Sequence, residues 1–239
     1  MAAGKGTRMK SRHPKVLQKL AGRALLQHVL DTAARLLARS AVVVTGHGAE
    51  QVEAAIASGQ GAEAGLALKF VRQEPQLGTG HAVRQAMPAL ADDGMVVVLS
   101  GDVPLTLAET LRALVEVGAG DRLALLTVTL PDPTGYGRIV RGTAGTVERI
   151  VEQKDANEAE RAITEVYSGI MAVPARHLRQ WLARLDNNNA QGEYYLTDIV
   201  AMAVADGVQV VAHRIADALQ VAGVNSPLQL AELERAHQP

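Results

Sequence analysis

The sequence predicts an α/β protein built on a mostly parallel sheet. Two continuous apolar runs, 41–45 (Ala-Val-Val-Val-Thr) and 95–99 (Met-Val-Val-Val-Leu), read as strands buried on both faces. Stretches of helical periodicity separate these runs from further strand-like segments. Strands alternating with helices of that length imply parallel pairing through right-handed crossovers. With 239 residues, 48% of them apolar, the chain can bury one such core or two small ones.

Residues 22–37 space Leu25, Leu26, Val29, Leu30 and Ala33 along one helical face. The strand at 41–45 ends at Gly46; a helix near 49–58 and a strand near 66–72 follow. A helix near 79–90 leads into the strand at 95–99, and a helix at 106–117 with a strand at 122–129 completes the alternation. The second half is less regular. Short strands near 137–141 and 147–152 form a hairpin, 165–173 a longer strand and 174–185 a helix. A polar loop at 186–192 precedes a helix from about Tyr195 to Ala205, a strand at 208–213 and a terminal helix beginning near Pro227. No internal repeat, low-complexity tract or linker interrupts the chain. The expectation is one domain over 1–239, with a regular half at about 1–120 and an irregular half at about 121–239.

Composition excludes several partners. A formal net charge of −1 gives no overall field for nucleic acid or an anionic membrane, and 3% aromatic residues is too few for base-stacking platforms. Cysteine is absent, so there is no disulfide frame or thiolate metal site, which suits a reducing cytosol. No apolar run reaches the roughly 18 residues of a membrane span. The basic N-terminus lacks the apolar segment of a signal peptide. A soluble, cytoplasmic protein is expected.

The stretch Met1-Ala-Ala-Gly-Lys-Gly-Thr-Arg8, closing at Pro14-Lys15, concentrates chemistry. Gly4 and Gly6 free the backbone and let a ligand reach its N–H groups. Amides turned one way make a concavity for anions, and Lys5, Arg8 and Lys15 suit a polyphosphate. A glycine-rich surface turn with solvated charges would share that composition.

Three further segments bear on the choice. Ser100-Gly101-Asp102 follows the 95–99 strand at the sheet edge where ligands bind, placing a carboxylate for Mg²⁺; a plain Gly-Asp turn would look alike. Gln73-Glu-Pro-Gln-Leu-Gly-Thr-Gly80 joins a strand to a helix. Its Thr79 or Gly80 can open that helix with unpaired N–H groups, and Gln73 can donate and accept as a uracil edge requires. Glu152 lies in an aliphatic strand where an unpaired carboxylate is costly. Either Lys154 or Arg138 neutralises it, or it accepts hydrogen bonds from sugar hydroxyls.

These segments resemble the sugar-1-phosphate nucleotidylyltransferases, and within them the bacterial N-acetylglucosamine-1-phosphate uridyltransferases. The most specific pieces are Gln-Leu-Gly-Thr-Gly-His-Ala, Asp-Pro-Thr-Gly-Tyr-Gly-Arg-Ile and Asn-Asn-Ala-Gln-Gly-Glu-Tyr-Tyr. The resemblance implies a Rossmann-like nucleotidyltransferase domain joining UTP to N-acetylglucosamine 1-phosphate, with Mg²⁺. It implies that Ala2, Ala3 and Gly4 contact the nucleotide and that Arg8 and Lys15 hold its phosphates. Gln73, Gly78 and Thr79 would read uracil. Ser100 and Gly101 would line the nucleotide site, and Asp102 with Asn225 would ligate Mg²⁺. Gly137, Glu152 and Glu193 would line the sugar site, with Tyr195 and Thr197 beside them.

Two departures stand out. Where the family has an Asn that hydrogen-bonds the sugar, this chain has Tyr167, which adds a ring to a pocket sized for an amide. The family also carries an apolar strand ahead of the glycine loop, so a missing first strand is expected here. The β-helix domain that gives the family acetyl transfer and a trimer is absent from this sequence, so neither is expected. An NAD-linked dehydrogenase is disfavoured because Met9 stands where a third glycine belongs. A P-loop NTPase lacks its Gly-x₄-Gly-Lys-[Ser/Thr] motif. A transferase for another sugar 1-phosphate and an inactive sugar-nucleotide-binding module remain as rivals.

Overall fold

The computed structural model describes residues 1–9, 11, 13–58 and 66–237. Strands β1 (Lys19–Leu20) and β2 (Arg23–Ala24) form a short hairpin ahead of helix α1 (Leu25–Arg35). There follow β3 (Ser40–Thr45), α2 (Ala49–Ala57), β4 (Ala67–Arg72), α3 (Thr79–Ala86), β5 (Met95–Val98), α4 (Ala108–Val117) and β6 (Leu123–Thr129). The rest comprises β7 (Arg138–Arg141), β8 (Val147–Val151), α5 (Glu158–Arg161) and β9 (Glu165–Pro174). Then come α6 (Ala175–Arg184), α7 (Ile199–Ala205), β10 (Val210–Ile215) and α8 (Pro227–His237). Among the described residues no helix is long and apolar enough to cross a membrane.

Two compact units interleave along the chain. The first comprises Met1–Gln76, Leu99–Leu111 and Leu219–Pro239; the second Leu77–Val98 and Arg112–Ala218. In the first unit β3 and β4 pair in parallel from Ser40↔Ala67 to Thr45↔Arg72. The other edge of β3 meets Ala2, whose N–H donates to the Val44 carbonyl at 2.8 Å. On its far side Met1 is held by Leu99 and Gly101: its ammonium donates to the Leu99 carbonyl at 2.6 Å and its carbonyl accepts from Gly101 N at 2.8 Å. Met1–Ala3 therefore lie like a strand end between β3 and the segment entering Asp102. The predicted face of α1 closes this core, with Leu26 and Leu30 buried among Ala2, Val16, Val43, Val52 and Ile56.

The second unit carries a six-stranded sheet in the order β10-β6-β9-β7-β8, with β5 added on β9. The alternation predicts parallel pairing, and β6 and β10 do pair in parallel. Yet β9 runs antiparallel to β5, β6 and β7, so the sheet is mixed. Because β7 is antiparallel to both β8 and β9, those two strands run the same way, and the connection between them carries the four-residue α5, closed by an Asn157–Glu160 capping box. The core is dense around β6 and α6, where Leu123, Leu125, Leu126, Met171 and Trp181 are fully buried. The indole N–H of Trp181 is satisfied by Asp206 at 2.8 Å, so burying that ring leaves no orphaned donor.

Candidate active site

In the first unit the glycine loop, Lys15, Asp102 and Asn225 come together. Thr7–Met9 and Lys15–Leu17 are single 3₁₀ turns, the second opening at Pro14, whose carbonyl accepts from Leu17 N at 3.0 Å. Gly6 has φ +56°, and a Cβ there would lie 2.7 Å from Lys15 Cβ. The loop can therefore lie against the stem of Lys15 only with glycine at that position. Gly4 is exposed with open space about it, Ala2 and Ala3 are buried, and Arg8 is exposed.

The Lys15 ammonium is ion-paired with Asp102 Oδ2 and donates to Asn225 Oδ1 at 2.9 Å. The side chains of Lys15 and Asp102 are 13% and 19% exposed, so solvent screens this pair far less than a surface one. Backbone contacts hold the two oxygens together: Val224 N donates to the Asp102 carbonyl at 2.9 Å, and Asn225 N to Gln229 Oε1 at 2.8 Å. The Ser100 carbonyl accepts from Val103 N at 3.2 Å, turning Asp102 inward, and buried Gly101 admits the Met1 carbonyl 3.0 Å from where a Cβ would stand. Gln73 is buried in the same unit, its N–H donating to the Thr45 carbonyl at 2.8 Å.

Two oxygens converging on one cation, a carboxylate and an amide carbonyl, form a hard donor set. Among the described residues no group of three His, Asp or Glu side chains suits a metal ion. One carboxylate plus one amide fits Mg²⁺, which draws its remaining ligands from water and phosphate oxygens.

The second unit gathers Gly78, Thr79, Gly137, Glu152, Tyr167, Glu193, Tyr195 and Thr197. Gly78 has φ +103°, and a Cβ there would meet the Tyr194 carbonyl at 2.7 Å and Glu193 Cβ at 2.9 Å. The segment 77–80 is bonded to Tyr194 on both sides, Tyr194 N to the Leu77 carbonyl and Gly80 N to the Tyr194 carbonyl, each at 2.8 Å. The Thr79 hydroxyl accepts from Leu196 N at 3.0 Å, capping the 3₁₀ turn Leu196–Asp198. The motif therefore has a packing role that its sequence does not declare.

Glu152 receives a hydrogen bond from the Thr197 hydroxyl at 2.8 Å. Neither cation named from the sequence neutralises it. The Arg138 guanidinium is spent on the Tyr136 carbonyl and on Gln153 Oε1, the latter at 2.7 Å, and Lys154 is exposed. Burial, reinforced by the charges of Asp155 and Glu193 against the Thr197 hydrogen bond, raises the Glu152 carboxyl above its ordinary range. Where Gly137 lacks a side chain, a Cβ would sit 3.7 Å from both Glu152 oxygens.

Tyr167 N donates to the Gly137 carbonyl at 2.8 Å, which ties β9 to the same spot. Its phenol oxygen is buried with no hydrogen-bond partner among the described residues, and burial first, then the Glu152 charge, pushes its pKa well up. The Tyr195 hydroxyl donates to Asp155 Oδ2 at 3.1 Å, and Asp155 Oδ1 also accepts from Ala190 N at 2.9 Å. In the polar loop, Asn189 Oδ1 accepts from Gln191 N and Glu193 N, both at 3.2 Å, so this amide shapes the loop.

Sequence reasoning passed over Asp155, Asp198 and Gln76. Asp155 was legible as the second carboxylate of Glu152-Gln-Lys-Asp. Asp198, half-buried and raised to about 6 by burial and by Asp186, Glu152 and Asp155, gave no such signal. Gln76 shows itself only through Gly46, where a Cβ would lie 2.7 Å from its side-chain nitrogen.

The chain is similar to several known proteins. The chain is 79% identical over 238 residues to the bifunctional protein GlmU of Acidovorax sp. (strain JS42), and 56% identical over 238 residues to that of Herminiimonas arsenicoxydans. All of this chain is covered in both, but only 50% and 51% of the relatives, so it spans about half their length. A crystal structure of UDP-glucose pyrophosphorylase complexed with UDP-glucose superposes with a TM-score of 0.76 at 17% identity, covering 99% of this chain and 96% of that one. A putative glucose-1-phosphate thymidylyltransferase from Bacillus anthracis gives 0.76 at 17% identity over 98% and 92%. At that identity the likeness is one of fold, a nucleotidyltransferase α/β fold. Residues 1–166 match the MobA-like NTP transferase domain, and the chain belongs to that family.

Proposed function

We propose that this chain transfers the uridylyl group of UTP to N-acetylglucosamine 1-phosphate, giving UDP-N-acetylglucosamine and pyrophosphate. The observation that carries the reading is the Lys15–Asp102–Asn225 cluster beside the glycine loop. The likeness of the whole chain to GlmU proteins supports it. The loop amides from Ala2 to Gly4, with Arg8 and Lys15, hold the triphosphate. Gln73, Gly78 and Thr79 read the uracil, and Ser100 and Gly101 line the nucleotide site. Asp102 and Asn225 hold Mg²⁺, which when bound neutralises phosphate charge.

A sugar-phosphate oxygen, anionic near neutral pH, attacks the α-phosphorus in line. The new O–P bond forms as the bond to the β-phosphate bridge breaks, and that electron pair leaves with pyrophosphate. No general base is needed. Arg8 and Lys15 lower the barrier by positioning and by charge. In the second unit Glu152, held by Thr197, accepts from sugar hydroxyls, with Gly137, Glu193 and Tyr195 beside it.

Tyr167 favours a second reading, uridylyl transfer to a different sugar 1-phosphate, because its ring takes volume beside Glu152. Pyrophosphate release from UTP, measured across several sugar 1-phosphates, tests both. Turnover with N-acetylglucosamine 1-phosphate is expected; turnover with another sugar alone selects the second reading, and silence with all of them marks an inactive binding module. Asp102→Ala should lower kcat by at least about 10²-fold while circular dichroism stays native. Near-normal turnover in that variant would remove Asp102 from the mechanism.

A further inference from the structure

The Lys15 ammonium already occupies the place where two oxygen donors converge, bonded to Asp102 Oδ2 and to Asn225 Oδ1. We propose that Lys15 is a placeholder cation: its ammonium and a divalent metal ion compete for the Asp102–Asn225 oxygens. The inference rests on the metal-site reading above and adds a linkage within it.

The backbone around the two acceptors is tied down through Val224 N, the Asp102 carbonyl and Gln229, so the acceptors do not need to move. The mobile member is the four-carbon lysine stem, which runs past Gly6 of the phosphate loop. Removing the ammonium takes away the cation bonded to a partly buried carboxylate and an amide oxygen aimed at one point, which favours any other cation that reaches them. With the ammonium present, a metal ion must displace it or sit beside a like charge. A phosphate group that draws Lys15 off Asp102 would release both oxygens, so triphosphate and metal would favour each other's binding.

The test is Mn²⁺ binding to the protein without nucleotide, followed by electron paramagnetic resonance and calorimetry, so no turnover enters the readout. Wild type should bind weakly, and Lys15→Met at least about tenfold more tightly. Lys15→Arg, which keeps a cation on the stem, should stay as weak as wild type and controls for disturbance of the fold, checked by thermal melting. Asp102→Asn should abolish the gain in the Lys15→Met background. If Lys15→Met binds Mn²⁺ no more tightly than wild type while Asp102→Asn still abolishes binding, the competition is wrong and the metal site stands. If Asp102→Asn leaves Mn²⁺ affinity unchanged in both backgrounds, the metal-site reading falls, and the competition with it.

Discussion

Tyr167 shows how much one side chain can carry. Among the described residues its phenol oxygen is buried without a partner, beside Glu152, which has no ion-pair partner there either. An unmet buried hydroxyl costs about 1–3 kcal/mol, whereas an apolar group of the same shape avoids that cost. Tyr167→Phe should therefore melt higher, by about 2–4 °C for each kcal/mol recovered in a chain of this size. A melting temperature equal to or below wild type would show that the oxygen is satisfied after all. The sequence marked position 167 as unusual and Glu152 as needing an explanation. It could not say that Arg138 turns to Tyr136 and Gln153, since that choice depends on where β7 and β8 bring their ends.

At the scale of elements, the segment 77–80 is the clearest case of a motif with a packing duty. Its glycines read as a ligand-approach loop, yet Gly78 has φ +103° and Gly80 would place a Cβ 2.5 Å from Leu185. Gly78→Ala combines an unfavourable left-handed backbone with a backbone clash at Tyr194, so a loss on the order of 1–3 kcal/mol is expected. Chemical denaturation should show that loss at unchanged m-value. A variant as stable as wild type would mean that the 77–80 and 193–196 contacts relax freely. Helix α1 was legible from periodicity, the fully apolar strands from their unbroken runs and the β7–β8 hairpin as two short strands. The four-residue α5 and the β1–β2 hairpin were not, because elements that short leave no periodic signal.

For the molecule as a whole, the carboxyl groups of the second unit set a pH dependence. Asp198 is raised to about 6 by burial first and then by Asp186, Glu152 and Asp155, and Glu152 is raised in the same sense. A carboxyl raised on folding keeps a proton that the unfolded chain has lost. Its contribution is full below the ordinary carboxylate range and disappears as pH rises through the folded value. Between about pH 4 and 6, Asp198 should thus make stability fall with rising pH. Comparison of wild type with Asp198→Asn isolates this contribution. The variant should gain melting temperature at pH 7 relative to pH 5, and parallel melting curves across that range would refute the assignment.

The sequence by itself determined the α/β class, the order of its regular elements and the types of chemistry present: a glycine loop with cations, a carboxylate after a strand and a polar loop at 186–192. These are local properties, set by periodicity, by backbone freedom at glycine and by charge, and each can be read within a few residues. Only the tertiary structure decided which distant groups meet. Lys15 reaches Asp102 and Asn225 across 87 and 210 residues of chain, Thr197 rather than Lys154 or Arg138 serves Glu152, and β9 returns antiparallel. Partner choice of that kind follows from global packing, because a buried charge takes whichever group the surrounding strands deliver to it.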